Sequence, residues 1–350
     1  MENTEVIKDA IQRVVSGGNL DEGEATAVMR LIMSGAASPA QIGALLIAMR
    51  LKGETVDEIT GFARVMREKA TPIKSRHSML VDTCGTGGDG LNTFNISTAA
   101  ALVVAGCGVP VAKHGNRSVS SRCGSADVLE ALGININLTP GEKEECLDKT
   151  GIAFLFAPAL HGAMRHAAGP RREIGVRTVF NVLGPLTNPA GAGAQVLGVF
   201  SMDLVPKLAG VLARLGTKKS FVLHGYGGTD ELTTLGPAYV CEVSGGEVRD
   251  FRMDPLDWGF KRAGIDDLRG GSPAENASII KSVLNGSSGP GRDTVILNAA
   301  LALVASGAAP DFTGGIEMAE KSIDSGRAAG KLADLAHFTT FICPGKAATS

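Results

Sequence analysis

The chain has 350 residues, 44% hydrophobic and only 4% aromatic, enough for a sizeable aliphatic core divided over two domains. Lys and Arg total 34 against 36 Asp and Glu, and a net charge of −2 excludes a global attraction to nucleic acid or to an anionic membrane surface. No apolar run approaches the roughly 18 to 20 residues of a membrane span, and "MENTEVIKDAIQ" lacks the basic and apolar regions of a signal peptide, so a soluble cytoplasmic protein is expected.

Residues 1–75 carry helical spacing only. Val6, Ile7, Ala10, Ile11 and Val14 fall on one face, and "SPAQIGALLIAMRLKG" opens on the capping box Ser38–Gln41 and stops at Gly53. A second box, Thr55–Glu58, starts a helix that runs to about Lys69. These helices predict a small bundle, joined by a later helical segment near 175–190. From Met79 short β-like runs alternate with Ala/Leu/Gly helices: "MLVDT", "ISTAAALVVAG", "VPVAK", "SADVLEALG", "GIAFLFA", "QVLGVFS", "LVPKLAGVLARLG" and "SFVLHG". Such alternation implies parallel βαβ units, so residues 76–350 are expected to form a larger α/β domain around a mostly parallel sheet. The six cysteines contain no C-x-x-C pair and read as reduced core thiols.

The loop after the first strand reads "VDTCGTGGDGLNTFN". Gly85-x-Gly87-x-x-Gly90 satisfies a dinucleotide fingerprint, but that motif needs its last glycine in the first turn of a helix and an acid about 20 residues on. Here Leu91-Asn92-Thr93-Phe94-Asn95 follow Gly90 before a helix can start at Ser97, and Val103–Lys113 holds no acid. A P-loop is excluded because no Gly-Lys-Ser/Thr closes the loop. What remains is an anion site in two parts: bare amides from Gly85 to Gly88, and a helix N-terminus with Asn95, Ser97 and Thr98 as side-chain donors. A glycine-rich turn before an ordinary N-cap is the plainer alternative.

Beyond the next strand, "VAKHGNRSVSSRCGSADVLEALG" offers, among its residues, the cations Lys113 and Arg117 with His114, Asn116 and the hydroxyls of Ser118, Ser120, Ser121 and Ser125. Open α/β sheets bind ligands at this end of their strands, and a second anion cluster favours a highly phosphorylated ligand. His114 alone is more often a hydrogen-bonded structural residue than a base. After "SFVLHG" come Asp230 and Glu231, either a solvated turn or, with a hydroxyl such as Ser97, hard ligands for the Mg²⁺ that accompanies a diphosphate. Arg171 and Arg172 read equally as surface residues of a helix or as a grip on the carboxylate of a second substrate.

Together "GTGGDG…TFNIST", "KHGNRSVSS…GSADVLEALG", "RTVFNVLGPLTNPA" and "DEL" resemble, over nearly the whole chain, the anthranilate phosphoribosyltransferases. These enzymes move the phosphoribosyl group of phosphoribosyl diphosphate (PRPP) onto the amine of anthranilate in tryptophan biosynthesis. The resemblance implies a helical domain joined to an α/β domain, a homodimer through the helical domain, and Mg²⁺ dependence. PRPP contacts would be Gly85, Gly88, Asp89, Thr93, Asn95, Ile96, Ser97, Thr98, Lys113, His114, Gly115, Asn116, Arg117, Ser118, Ser120, Ser121 and Ser125. Anthranilate would meet Gly85, Asn116 and Arg171, and the metal Ser97, Asp230 and Glu231. No catalytic acid or base is implied. One local departure is Gly162 after His161, where the family usually has proline. "SSRCGSADVLEALG" is also similar to pyrimidine-nucleoside phosphorylases, and a non-catalytic nucleic-acid-binding relative is a further alternative.

Overall fold

The computed structural model describes residues 2–118 and 122–342, so Ser120 and Ser121 lie outside the described residues. Four helices come first: α1 (Glu2–Val15), α2 (Glu22–Ser34), α3 (Pro39–Lys52) and α4 (Val56–Lys69). Both expected capping boxes form. Ser38 Oγ accepts the Gln41 amide at 3.2 Å while Gln41 Oε1 accepts the Ser38 amide at 2.9 Å, and Thr55 and Glu58 do the same for α4. Glu58 also ties the bundle together. Fully buried, it accepts the Leu20 amide at 3.0 Å and pairs with Lys52 at 3.0 Å, locking the α1–α2 turn onto α4.

The rest of the chain winds β1 (Val81–Gly85), α5 (Ile96–Gly106), β2 (Val111–Gly115), α6 (Ser125–Ala131), α7 (Pro140–Thr150), β3 (Ile152–Phe156), α8 (Ala157–Leu160), α9 (Arg165–Ile174), α10 (Phe180–Leu183), β4 (Ala194–Gly198), α11 (Leu204–Arg214) and β5 (Lys219–His224). A hairpin, β6 (Ala238–Ser244) and β7 (Glu247–Met253), then leads to α12 (Pro273–Leu284), α13 (Pro290–Ser306), α14 (Phe312–Asp324) and α15 (Arg327–His337). The strands form one seven-stranded sheet in the order β3-β2-β1-β4-β5-β6-β7, parallel from β1 to β5 and antiparallel across β6 and β7. The parallel strands are buried along most of their length, as required of a sheet covered on both faces, and β1 and β2 bury Asp82, Thr83, Lys113 and His114 among their apolar residues.

The two faces of the sheet have separate cores. Helices α5, α13 and α15 contribute to one. The other joins Leu197, Val199, Val222, Cys241 and Val243 of the sheet to α11 and directly to the core of α1–α4, so the bundle is an extension of one sheet face. The chain returns to the bundle earlier than the 175–190 expected: α9 packs on α2 and α3, while Phe180, Val182, Leu183 and Leu186 complete the same core. The reason is amphipathicity upstream of Gly175, where Ala167 and Pro170 give α9 a buried side that its run of arginines conceals.

The order of connections determines where a ligand can bind. From β1 the chain moves outward through β2 to β3, then crosses back to place β4 on the other side of β1. The carboxyl ends of β1 and β4, at Gly85 and Gly198, therefore flank the topological switch point, where open α/β sheets leave a crevice.

Candidate active site

At that switch point the glycine loop and the acid pair meet. Gly87 N–H donates to Asp230 Oδ2 at 3.0 Å, and Ser97 N–H, in the first turn of α5, donates to Glu231 Oε1 at 3.2 Å. A Cβ on Gly85 would stand 2.4 Å from Asp230 Oδ2, so β1 must end in glycine for the carboxylate to lie across it. On β4 the approach is closer still. A Cβ on Gly198 would stand 1.5 Å from the Asp230 carbonyl, backbone against backbone, and only glycine fits.

Several elements hold this geometry. The Thr86 amide donates to Gly198 O at 2.9 Å and Thr86 Oγ1 accepts the Phe200 amide at 3.2 Å, which anchors the loop to β4. Its far side pairs with the segment before α12, through a β-bridge between Thr93 and Arg269 and the bond from Phe94 N–H to Leu268 O at 3.0 Å. Asn298 of α13 grips Leu232 by both its amide and its carbonyl, at 3.1 and 2.8 Å, fixing the chain just past Glu231.

The electrostatics are those of buried negative charge. Burial, and then the Asp89 carboxylate, push Asp230 up to about 7; burial, then Asp230, raise Glu231 well above the ordinary carboxylate range. Lys113 opposes this in part. It is buried, its Nζ donates to Thr83 O at 2.6 Å and to Ser97 Oγ at 3.3 Å, and burial lowers its own pKa against the pull of Asp82. Asp89 Oδ2 and Thr98 Oγ1 are buried without a hydrogen-bond partner. Carboxylates that repel one another, a carboxylate oxygen with no donor and an orphan hydroxyl fit a hard divalent cation and a ligand with oxygen acceptors. Among the described residues no group of three or more His, Cys, Asp or Glu is arranged to hold a metal.

The remaining expected residues divide. Helix α5 begins at Ile96, one residue before the expected Ser97, with Asn95 as its N-cap. Asn95 does not cap it: Nδ2 donates to Cys123 O at 3.1 Å and Oδ1 accepts from Asn276 at 2.8 Å, a cross-link between the two anion clusters. Arg117 is turned away onto α6, paired with Asp127 at 2.9 Å and Glu130 at 2.6 Å. Of the two expected cations, only Lys113 therefore lies among the buried acids, and it sits within β2 rather than beyond it. Gly115 and Gly124 have no room for a Cβ, the former against Ser125 Oγ and the latter against the Ser118 amide, so the described ends of the second loop pack closely on each other. His114 is buried against His161, with Nε2···Nε2 3.2 Å; burial, then the facing ring, hold it neutral with a pKa near 3, and burial lowers His161 to about 4. Arg171 is half-buried with its guanidinium 4.9 Å from the Phe180 ring centroid, whereas Arg172 is exposed.

Matches to known proteins agree with this geometry. Residues 77–329 match the glycosyl transferase family, a/b domain, and residues 8–70 its helical bundle domain. An anthranilate phosphoribosyltransferase of Pelotomaculum thermopropionicum is 63% identical over 343 residues, covering 98% of this chain and 99% of its own length. This chain belongs to the anthranilate phosphoribosyltransferase family. Among solved structures, the family's enzyme from Thermus thermophilus superposes with a TM-score of 0.90 at 46% identity, covering 95% of this chain and 99% of its own. The enzyme from Saccharomyces cerevisiae, in complex with PRPP and Mg, superposes with a TM-score of 0.87 at 27% identity, covering 95% of this chain and 98% of its own. Family membership favours the transferase reading over the nucleoside phosphorylase and the nucleic-acid-binding relative.

Sequence reasoning passed over Gly198, Asn298, Asn276 and Arg177. Gly198 did carry a signal: a lone glycine inside the apolar strand "QVLGVF" marks a close backbone approach. Asn298, inside the apolar helix "DTVILNAALALVASG", is likewise a polar residue that must find partners. Asn276 and Arg177 carry no comparable local signal.

Proposed function

We propose that this protein transfers the 5-phosphoribosyl group of PRPP to the amine of anthranilate, releasing diphosphate, as a Mg²⁺-dependent step of tryptophan biosynthesis in the cytoplasm. The observation that carries the reading is the convergence of the Gly85–Gly88 backbone and the start of α5 on the Asp230–Glu231 pair at the switch point, through the amides of Gly87 and Ser97. Asp230 and Glu231, with the Ser97 hydroxyl, would hold Mg²⁺, which when bound supplies charge neutralisation for the departing diphosphate.

The chain's own groups do the rest. The α5 dipole favours an anion, but its first amides are committed, Ile96 to Phe94 O, Ser97 to Glu231, and Thr98 and Ala99 to Asn95 O. The uncommitted donor at this helix start is the Thr98 hydroxyl, and Gly87 and Ser97 N–H would reach phosphate oxygens only as the acids turn to a metal. Lys113 adds the buried positive charge. An aromatic amine is unprotonated at neutral pH, so its nitrogen attacks C1 of the ribose as diphosphate leaves, forming the C–N bond as the C–O bond breaks. The amine proton is lost after bond formation, and no strong base is required. His114, neutral and engaged with His161, agrees with that. Arg171, braced on Phe180, would take the anthranilate carboxylate, with Gly85 and Asn116 as the other expected contacts.

The domains are read as 1–75, extended by α9 and α10, and 76–350. A homodimer through the bundle is read from the family resemblance. The test is a fluorescence assay of anthranilate consumption. Loss of signal that needs both PRPP and Mg²⁺ is expected. Phosphorolysis of a pyrimidine nucleoside without such loss would overturn the assignment.

A further inference from the structure

We infer that Arg177 is a positioning residue that clasps the glycine loop from the acceptor side and couples the two substrate sites. Arg177 stands in the connection between α9 and α10, six positions after Arg171 in sequence. Its Nη2 donates to the Gly88 carbonyl, and its guanidinium lies 4.6 Å from the Phe200 ring centroid. Phe200 in turn donates its amide to Thr86 Oγ1 at 3.2 Å, so the stacked ring and the loop are held by one another.

The loop apex is thus gripped from two directions. Asp230 takes the Gly87 amide, and Arg177 takes the next residue's carbonyl. Gly88 is in the left-handed region at φ +78, and a Cβ there would stand 2.8 Å from Arg177 Nη2, so the absence of a side chain makes room for the guanidinium as well as for the turn. Holding the Gly88 carbonyl toward Arg177 orients the Gly88–Asp89 peptide, whose N–H points the opposite way from the carbonyl. Arg177 needs no contact with either substrate for this. The short link back to Arg171 means that whatever binds at Arg171 and settles α9 also settles Arg177, and by linkage the loop returns the same free energy to the acceptor site.

The assignment of substrates rests on the function proposed above, so the test has an arm that does not. Arg177→Met keeps the apolar stem against Phe200 and removes the donor; Arg177→Lys restores one. In the full-length protein, Arg177→Met should raise KM for PRPP about tenfold, the scale of one hydrogen bond from a charged donor, with kcat changed less than about twofold. Arg177→Lys should recover part of the loss. A non-reacting anthranilate analogue should tighten PRPP binding in the parent protein and have no such effect in Arg177→Met. Hydrogen exchange at Thr86–Asp89 should be about tenfold faster in Arg177→Met without any ligand, at unchanged Tm. Exchange equal to that of the parent overturns the clasp outright. A change confined to KM for anthranilate overturns the coupling. If the parent protein turns over no PRPP with anthranilate, the functional reading fails, while the exchange measurement still decides the clasp.

Discussion

The loop after β1 and the loop after β2 begin alike, each leaving a buried strand of the same sheet, and end as opposites. The first surrounds buried carboxylates with backbone amides and leaves the Asp89 and Thr98 oxygens without partners. In the second, described residues pair with one another: Arg117 pairs with Asp127 and Glu130, Gly124 and Ser118 donate to Asp127, and Asn116 accepts the Arg117 amide. A region that satisfies its own charges is stable alone. A region with unmet charge is completed by what it binds. The difference assigns the strongest electrostatic demand on a ligand to the first loop and the acids that face it.

The largest effect should come from removing those acids. Asp230→Asn with Glu231→Gln is expected to lower the transfer rate about 100-fold or more, with an unchanged circular-dichroism spectrum and a Tm no lower than the parent's. Parental activity at limiting Mg²⁺ would remove the acids from the account. Gly198→Ala should come next, because the added Cβ would stand 1.5 Å from the Asp230 carbonyl oxygen and neither backbone can yield. A loss of about 3 kcal/mol in urea unfolding is expected. Gly85→Ala instead meets the end of the Asp230 side chain at 2.4 Å, and should disturb metal dependence more than stability.

Setting Lys113→Met beside Arg117→Met contrasts the two loops directly. Lys113 is buried among the acids, so PRPP affinity by calorimetry should fall roughly 10- to 100-fold. Arg117 is exposed and committed to α6, so its variant should change affinity less than about threefold and stability by under about 1 kcal/mol. Equal losses would erase the distinction.

The smallest effect belongs to the histidine pair behind the second loop. His114 is held near 3 and His161 near 4, while the unfolded chain protonates both near 6.5. Their contribution is therefore complete above about 6.5 and declines as pH falls toward 4, because the unfolded state then binds more protons. Asp82, raised to about 6 by burial, acts in the opposite sense between about 6 and 4 and offsets part of the loss. Asp230, raised to about 7, and Glu231 oppose the histidines between pH 7 and pH 6 as well, so the histidine contribution is read as a difference. By calorimetry the parent's Tm should change over that interval about 2 °C less favourably than that of His114→Gln with His161→Gln, and equal changes would remove the histidine pair from the account.

Much of this was legible in the residues because local rules act there. Capping boxes, the alternation of strand and helix, and the failure of "GTGGDG" to meet a dinucleotide loop all follow from neighbours in sequence. What was hidden depends on distant partners. Asn95 and Arg117 look alike as polar donors near a helix start, yet one is taken by Cys123 and Asn276 and the other by α6. Arg171 and Arg172 are adjacent, and only the packing of Phe180 separates them. Sequence spacing cannot tell which donor the fold has already used.

The central claim is that loop amides and acids grip one diphosphate, the acids through a divalent ion. Calorimetric titration of PRPP into the parent protein and into Asp230→Asn/Glu231→Gln, each with and without Mg²⁺, tests it most directly. Mg²⁺ should tighten binding at least about tenfold in the parent and leave the double variant unchanged. Binding that is indifferent to Mg²⁺ in the parent, or an equal Mg²⁺ effect in both proteins, would contradict it.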